Sequence, residues 1–413
     1  MRRSILLAGV LASSLALGAC SSSSDDTAKE TPKPSDSASA AAGGSLTMWV
    51  DETRLPAVTA AAKEYESATG NKIELVQKNF DDIRADFLAQ VPTGEGPDIT
   101  VGAHDWLGEL TSNGVVEPIE LGDLASGFEP VALQAFTFDG SVYALPYAIE
   151  NIAIIRNTAL APEATPATFD EMIAAGQATG ATYPFLIQVD EKGDGYTMYP
   201  FQTSFGAPVF KQNDDGSYTS ELALGGEAGN NFATWLATQG TAGIFKTTMT
   251  YDIATAAFAA GESPYILGGP WMVDMFKEAG IDVAIDPIPS AGGEEARPFT
   301  GVQGFYISAQ SKNKILAADF LTNYMSTQEA QVALFKAGNR TPALIAAADE
   351  VSADPIAAGF RAVGKNAVPM PSIPEMGSVW SFWGVTEAGI ISGTLDPVTG
   401  WEKMVSDIQA AIG

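Results

Sequence analysis

The sequence predicts an α/β fold with more than one domain. Strand-like and helix-like stretches alternate from Leu46 onward, at the spacing typical of a doubly wound sheet. The chain has 413 residues, which is more than one hydrophobic core usually holds, so two domains are expected. Its single cysteine, Cys20, precedes this patterned region. The fold should therefore depend on core packing and not on disulfides.

The amino-terminal residues have the pattern of an export signal. Two arginines precede an apolar run over residues 5–17, and Gly18 and Ala19 come directly before Cys20. This pattern is typical of a cleavable signal peptide, and the run is short for a membrane-spanning helix. We therefore assign residues 1–19 to a signal peptide.

The residues around Cys20 also resemble the bacterial lipobox, in which a diacylglycerol is attached to the cysteine sulfur. The resemblance implies a lipid anchor at Cys20 on the extracytoplasmic face of the cell membrane. Each buried methylene contributes about 0.8 kcal/mol, so two or three acyl chains hold a protein stably. Residues 20–44 are rich in Ser, Ala, Asp, Lys and Pro and lack large apolar side chains. They are expected to form a flexible tether.

The strongly acidic composition excludes some classes of partner. The formal net charge is −28, and removal of two arginines with the signal peptide would make it more negative. Such a chain is not expected to bind nucleic acid or to adsorb to an anionic lipid surface. The acidity favours solubility, and it leaves open a cationic ligand attracted by the charge.

The patterned region begins with a β-α-β-α-β unit. Its five segments, in order, are strand 46–50, helix 55–68, strand 72–76, helix 81–90 and strand 98–101. Farther along, strands 142–145 and 152–155 flank residues 146–150, an extended segment long enough to cross from one lobe to another. The remaining predicted elements are helix 252–260, strand 264–267, helices 315–324 and 327–335, and helix 401–412. No internal repeat is evident.

The inventory of reactive side chains argues against catalysis. His104 is the single histidine, and a lone histidine is more readily explained as a structural residue. With Cys20 committed to the anchor, neither a metal cluster nor a Ser-His-Asp constellation is expected. No phosphate-binding loop motif occurs. We predict no catalytic residues, no metal site and no cofactor.

Carboxylates occupy positions where open α/β sheets bind ligands, at the carboxyl ends of strands. Asp51 and Asp105 follow the first and third strands, Glu150 lies in the crossing segment, and Asp190 and Asp194 lie in a polar loop. Two of them could also form the acid and base of a glycosidase, which requires one raised pKa and a separation of roughly 5–10 Å. The sequence leaves this alternative open.

Aromatic residues in segments rich in Gly and Pro point to a carbohydrate ligand. The set is Tyr196, Tyr199, Trp271, Trp380 and Trp383, which we place in loops or at the ends of elements. Sugar rings have apolar faces and a rim of hydroxyls, so their sites combine aromatic walls with carboxylate, amide or guanidinium groups.

Five motifs in order resemble the extracellular solute-binding proteins of ABC importers, in the branch of maltose/maltodextrin-binding protein. They are residues 93–99 (TGEGPDI), 103–105 (AHD), 146–150 (PYAIE), 256–262 (AAFAAGE) with 269–271 (GPW), and 370–376 (MPSIPEM) with Trp380. The resemblance implies the two-lobed periplasmic-binding-protein fold, with doubly wound sheets, a hinge and an interlobe cleft. We predict lobe 1 over residues 45–150 and 303–350, and lobe 2 over residues 151–302 and 351–413.

The same resemblance implies a set of ligand-binding residues. Polar contacts to hydroxyls are implied for Asp51, Arg54, Asp105 and Glu150, and stacking for Tyr196, Trp271 and Trp380, with Met370 as a further lining residue. The chain departs from the family pattern at Gly102, Trp106, Ser381 and Gly384, and also at Arg84 and Ala85. Trp106 and Trp383 are therefore expected to supply contacts that the family obtains elsewhere.

The predicted function is capture of a small oligosaccharide, maltose or a malto-oligosaccharide or a relative of these, by hinge closure. A monomeric, lipid-anchored protein would then deliver the sugar to an ABC permease, and tethering would raise its effective concentration there. Two alternatives remain open. One is a surface glycosidase, and the other is the same fold binding a polyamine between Asp51, Asp105, Glu150 and the tryptophans.

Overall fold

The structure is a computed structural model that describes residues 43–213 and 217–413. The predicted signal peptide, Cys20 and most of the predicted tether lie outside these residues. Within the described ranges, no helix is both long and apolar enough to cross a membrane.

Fifteen strands form in the described part of the chain. They are β1 (Ser45–Val50), β2 (Lys72–Gln77), β3 (Ile99–Ala103), β4 (Val116–Glu117), β5 (Thr137–Phe138), β6 (Ser141–Val142), β7 (Ala144–Glu150), β8 (Ala153–Asn157), β9 (Phe210–Gln212), β10 (Tyr218–Leu222), β11 (Tyr265–Gly268), β12 (Val283–Asp286), β13 (Phe299–Ser308), β14 (Thr341–Pro342) and β15 (Val368–Pro369).

The same residues form fifteen α-helices. They are α1 (Leu55–Thr69), α2 (Phe80–Gln90), α3 (Leu107–Ser112), α4 (Pro130–Ala135), α5 (Phe169–Ala178), α6 (Gly195–Ser204), α7 (Gly226–Thr241), α8 (Tyr251–Ala259), α9 (Val273–Glu278), α10 (Lys314–Phe320), α11 (Gln328–Gly338), α12 (Ile345–Glu350), α13 (Pro355–Gly364), α14 (Met376–Ile391) and α15 (Pro397–Ile412).

The larger sheet places the first predicted carboxylates at one edge. Its strand order is β14-β7-β13-β3-β1-β2, and β4 and β15 pair with β13. β1 is parallel to both β2 and β3, as the β-α-β-α-β pattern predicts. Since parallel strands end at the same edge, the loop after β1 and the turn after β3 lie side by side. Asp51 is the first residue after β1, and Asp105 is the second residue after β3.

The second sheet is built differently. β8 lies between β11 and β12 and is antiparallel to both. β13, the longest strand, is also antiparallel to its neighbours β3 and β7 in the larger sheet. These antiparallel pairs join segments far apart in sequence, so local patterning does not reveal them.

Separate hydrophobic cores define the two lobes. One core takes its buried side chains from residues 46–148 and 302–343, and we call this part lobe 1. Lobe 2 contains the cores formed by residues 152–299 and 356–408. The chain therefore passes between the lobes three times. This arrangement supports the predicted lobe boundaries, which we keep as a prediction.

Local signals explain where several helices begin and end. Asn79 caps α2 by accepting a hydrogen bond from the Asp81 backbone N–H, and Asp396 caps α15 by accepting one from the Thr399 backbone N–H. Such caps satisfy backbone donors that have no partner within the helix. α1 ends at Gly70, whose φ of 74° is the left-handed conformation that glycine adopts without strain.

Candidate functional site

The loop after β1 holds a buried ion pair on the lobe 1 side of the interlobe region. Arg54 donates to a carboxylate oxygen of Asp51 and to the Tyr147 hydroxyl, and both charged side chains are almost fully buried. Thr53 donates to Asp51 Oδ1 through its backbone N–H at 3.0 Å and its hydroxyl at 2.6 Å. Burial alone would raise the pKa of Asp51, but the Arg54 charge and these hydrogen bonds outweigh it and lower the pKa to about 2.

A second ion pair lies at the end of β7. Glu150 accepts from Gln303 Nε2 at 2.7 Å and from Arg340 Nε at 2.6 Å, so each carboxylate oxygen has a protein donor. The Arg340 guanidinium group also lies over the ring of Trp271, 5.2 Å from its centroid. Arg340 thus connects the crossing segment with a tryptophan of lobe 2.

The turn after β3 contains a carboxylate that lacks a charged hydrogen-bond partner. In this 3₁₀ turn, His104–Trp106, Asp105 Oδ2 accepts from Trp380 Nε1 at 3.1 Å, while Oδ1 is buried without a partner. Burial raises the pKa of Asp105 to about 7, against the opposing charge of Arg84 and the Trp380 hydrogen bond. A carboxylate of lobe 1 thus contacts a tryptophan of lobe 2 directly.

His104 has a structural role. Its Nδ1 accepts from the Val302 backbone N–H at 3.0 Å, so its Nε2 carries the proton and donates to the Met370 carbonyl at 2.9 Å. Burial lowers the pKa of His104 to about 4, which keeps the ring neutral at physiological pH. The histidine holds the Met370 backbone of lobe 2 against lobe 1.

Lobe 2 contributes the aromatic side of the site. Tyr196 is half-buried beside Phe299, with ring centroids 6.3 Å apart, and its hydroxyl has no hydrogen-bond partner. Burial raises the pKa of Tyr196 well above its ordinary value, and the nearby negative charges of Glu150 and Asp194 act in the same direction. Trp380 is half-buried and stacks on Trp383 with centroids 5.5 Å apart.

Three of the predicted site residues are buried among the side chains of the hydrophobic cores. Trp383 is fully buried, and its indole N–H donates to Gln202 Oε1 at 3.0 Å. Met370 also belongs to the lobe 2 core. Trp106 packs on Phe80 in lobe 1 and lies against Gly102, where an added Cβ would be 2.7 Å from its ring. Trp383 and Met370 therefore belong to the hydrophobic core on which the half-buried Trp380 packs.

The structure brings in residues that the sequence reasoning did not select. Gln303 and Arg340 bind Glu150, and Tyr147 binds Arg54. A usable signal existed for Arg340, since it follows Gly338 and Asn339 at the end of α11, and Asn339 has a left-handed φ of 53°. Glycine and asparagine in sequence are typical of a helix end, so the start of a loop could have been predicted just before Arg340.

The polar groups of the site are hydrogen-bond donors and acceptors of the kind that bind hydroxyl groups. Within residues 43–213 and 217–413, no group of three or more His, Cys, Asp or Glu side chains is arranged as a metal site. Within the described residues, the arrangement consists of ion pairs on one side and aromatic faces on the other, and three oxygen atoms in it have no hydrogen-bond partner: Asp105 Oδ1, Gln303 Oε1 and the Tyr196 hydroxyl.

Comparisons with known proteins give consistent matches. Residues 60–359 match the family model described as bacterial extracellular solute-binding protein. The chain is 28% identical to the maltotriose-binding protein of Pyrococcus abyssi, over 89% of this chain and 80% of the relative. It is 28% identical to the maltooligosaccharide ABC transporter solute-binding lipoprotein of Streptococcus pneumoniae strain R6, over 100% of this chain and 97% of the relative.

A solved structure is similar over most of the described fold. It is the maltotriose-binding protein of Thermus thermophilus bound with maltotriose, with a TM-score of 0.81 and 33% sequence identity. The match covers 89% of this chain and all of that one.

Proposed function

Because this chain belongs to the family of bacterial extracellular solute-binding proteins, we propose that it captures a malto-oligosaccharide or a related small oligosaccharide and delivers it to an ABC import permease. The contact between Asp105 of lobe 1 and Trp380 of lobe 2 carries this proposal. A carboxylate beside an aromatic ring is the combination that a sugar ligand requires, and this contact therefore supports the proposal. The relatives named for maltotriose and malto-oligosaccharides support the choice of sugar.

Binding proceeds by hinge closure. The sugar contacts Asp51, Arg54, Asp105 and Glu150 on the lobe 1 side and Tyr196, Trp271 and Trp380 on the lobe 2 side. Since the ligand reaches both sets only when the lobes approach, it stabilises the closed form over the open one. The permease then receives the closed, loaded protein.

A panel of ligands tests the proposal. A ligand that binds the native state raises the unfolding midpoint, so thermal unfolding is measured with glucose, maltose, maltotriose, a galacto-oligosaccharide and spermidine. We expect the largest rise with a malto-oligosaccharide and none with spermidine. A rise with spermidine alone would favour the polyamine alternative and contradict the proposal. A panel without any rise would also contradict it.

We also propose that the sugar is released unchanged. One observation favours the alternative of a glycosidase, because a carboxyl group with a pKa near 7, such as Asp105, suits a general acid. Glu150, however, is held by Gln303 and Arg340 and is not free to act as its partner. Incubation with maltotriose and maltotetraose should produce no new reducing ends. Their appearance in wild type, and their absence in Asp105→Asn, would establish hydrolysis.

The membrane attachment is a separate proposal. Lipid on Cys20 and a flexible tether over residues 20–44 keep a monomeric protein close to its permease and raise its effective concentration there. A Cys20→Ser variant should bind sugar with unchanged affinity but leave the membrane fraction. Retention of this variant in washed membranes would contradict the anchor.

A further inference from the structure

Glu387 is a buried carboxyl group of lobe 2 that has no part in the proposed sugar site. It lies in α14 with 0% of its surface exposed, and neither of its carboxyl oxygens has a hydrogen-bond partner in the described structure. A buried carboxylate is costly unless it is paired, hydrogen-bonded or bound to a metal. An unpartnered group at such a position therefore requires an explanation.

The helix that carries Glu387 packs closely against the segment that leads into α6. An added Cβ at Gly193 would overlap the Gly384 carbonyl oxygen, and one at Gly195 would lie 2.5 Å from the ring of Trp383. Glu387 is four residues after Trp383 and three after Gly384, so the three residues share one face of α14. Helical side chains also lean toward the amino-terminal end of their helix. Glu387 therefore points toward that segment.

Asp194 and Gln188 add further oxygen atoms to this cluster. Asp194 Oδ1 accepts from the Thr197 backbone N–H at 3.0 Å, and Oδ2 accepts from the Thr197 hydroxyl at 2.6 Å and from Gln188 Nε2. A carboxylate accepts about four hydrogen bonds, so one acceptor position on Asp194 remains. Because Gln188 turns its amide nitrogen to Asp194, its Oε1 is left buried without a partner.

The cluster lacks the positive charge that its carboxyl groups need. Burial raises the pKa of Glu387 well above its ordinary value, and the negative charge of Asp194 acts in the same direction. The Trp383 N–H, which donates to Gln202, offsets this only in part, and no positively charged side chain of the described residues contributes. A proton removes the charge but leaves Gln188 Oε1 unpartnered, whereas a cation binds to all of these oxygen atoms.

We propose that Glu387, Asp194 and Gln188 form a binding site for a divalent cation of the Ca²⁺ type. Carboxylate and amide oxygens are the ligands that such hard cations prefer, and two carboxylates balance the charge of one divalent ion. Ca²⁺ takes about six to eight oxygen ligands, and water can supply the rest because Asp194 is partly exposed. The cation links α14 to the start of α6, the helices that carry Trp380 and Tyr196.

This site does not depend on sugar binding. It departs from the sequence-based prediction of no metal site, which considered the lack of histidine and cysteine. Two carboxyl groups and one amide from segments far apart in sequence form no motif, and only the packing of α14 on the segment before α6 brings them together.

Calcium titration of the Cys20→Ser protein tests the site. After removal of bound metal with EDTA, the protein is titrated calorimetrically with CaCl₂ in physiological NaCl, which screens weak binding to the acidic surface. We expect one Ca²⁺ per chain and a rise of the unfolding midpoint with calcium. Glu387→Gln keeps the shape of the side chain without its charge, so it should weaken calcium binding by at least about tenfold and abolish the rise.

Two further variants locate the site. Gln188→Met removes the amide oxygen and keeps both carboxyl groups, so it should weaken calcium binding by less than Glu387→Gln does. It also serves if Glu387→Gln does not fold. Asp105→Asn is the matched control, because Asp105 is likewise a buried carboxyl group with an unpartnered oxygen but lies in lobe 1. This variant should keep the calcium affinity of the Cys20→Ser protein.

Either of two results would overturn the inference. If the EDTA-treated Cys20→Ser protein neither binds Ca²⁺ nor gains stability from it, Glu387 is a protonated carboxyl group and the cluster holds no cation. If calcium binds but Glu387→Gln and Gln188→Met both keep full affinity, the ion lies elsewhere on the acidic surface. Sugar binding is measured separately and can stand or fail in either case.

Discussion

The two sides of the interlobe region differ in their chemistry. Lobe 1 presents two buried ion pairs, Asp51 with Arg54 and Glu150 with Arg340, beside the unpaired carboxyl group of Asp105. Lobe 2 presents aromatic faces, and the Tyr196 hydroxyl there has no partner. Loss of one member of a buried ion pair on the lobe 1 side should therefore lower the stability of the fold. If the proposed sugar binding is correct, substitutions on the aromatic side should affect ligand affinity more than stability.

The largest predicted effect is the loss of stability when the buried ion pair between Asp51 and Arg54 is removed. Asp51→Ala leaves Arg54 buried without its counterion, and we expect it to lower the free energy of unfolding by about 3–5 kcal/mol. Denaturant unfolding monitored by circular dichroism measures the change. Lys403→Ala is the matched control, because its ion pair with Asp407 lies on the surface of α15 and should be worth less than about 1 kcal/mol. Equal effects for the two variants would contradict the preorganised ion pair.

The next largest effect is a loss of ligand affinity when the half-buried ring of Trp380 is removed. Trp380→Ala removes a half-buried ring and the donor to Asp105, and we expect it to weaken maltotriose binding by about tenfold to a hundredfold, or roughly 1.4–2.8 kcal/mol. Trp380→Phe keeps a ring but loses the N–H, so its loss should be smaller. Calorimetric titration compares the three proteins. Wild-type affinity in Trp380→Ala would remove Trp380 from the site.

Two carboxylates of lobe 1 should respond oppositely to pH. Asp51 has a pKa lowered to about 2, so its contribution to stability is present above pH 4 and is lost as the pH falls toward 2. Asp105 has a pKa raised to about 7, so the native state binds a proton that the unfolded chain releases near pH 4. Because of this bound proton on Asp105, the free energy of unfolding should fall as the pH rises from 4 to 7, by up to about 1.4 kcal/mol per pH unit.

Asp105→Asn isolates this slope, because the amide does not titrate. Denaturant unfolding of both proteins at pH 4.5, 5.5, 6.5 and 7.5 gives the difference in stability at each pH. We expect the difference between wild type and variant to change steadily across this range in the ligand-free protein. Parallel curves would show that Asp105 is not protonated in the folded state near neutral pH.

The smallest effect concerns the unpartnered hydroxyl of lobe 2. Tyr196→Phe removes an oxygen that makes no hydrogen bond in the described structure, so the free energy of unfolding should stay within about 0.5 kcal/mol of wild type. If this hydroxyl binds the sugar, the variant should bind maltotriose about threefold to tenfold more weakly. A change in stability without a change in affinity would assign the hydroxyl a structural role.

Local patterning predicted the elements that surround the charged side. The β-α-β-α-β unit appears as β1, α1, β2, α2 and β3, and it places Asp51 and Asp105 at one sheet edge. The predicted crossing segment is itself part of strand β7, because Ile149 and its neighbours pair with both β13 and β14. An unpaired extended segment and a strand within a sheet have the same sequence pattern. They are distinguished only by their pairing with strands that are distant in sequence.

The aromatic side was harder to predict. Trp380 and Trp383 were expected in loops or at element ends, but both lie within helix α14, and Tyr199 lies within α6. Tyr196, the second residue of α6, does lie at the end of an element. The expectation was wrong because α14 is apolar on several faces and so lacks the one-sided pattern that marks a surface helix. Inside one helix, Trp383 packs in the core and Trp380 reaches Asp105.

The Glu150 pair shows the limit of sequence reasoning most plainly. Arg340 and Glu150 are 190 positions apart, and Gln303 and Glu150 are 153 positions apart. No local periodicity joins such residues, since their contact depends on how β13 and β14 pair with β7. The Glu150 carboxylate was predicted as a site residue, but its counterion Arg340 could be identified only from the folded structure.

Small-angle X-ray scattering of the Cys20→Ser protein, with and without saturating maltotriose, most directly tests whether a sugar is captured between the two lobes. Closure of the lobes around the ligand should lower the radius of gyration of wild type, with one sugar bound per chain by parallel calorimetry. Trp380→Ala at the same sugar concentration should remain nearer the ligand-free value. Saturable binding of one sugar per wild-type chain, with an unchanged radius of gyration, would contradict closure and place the sugar outside the interlobe cleft.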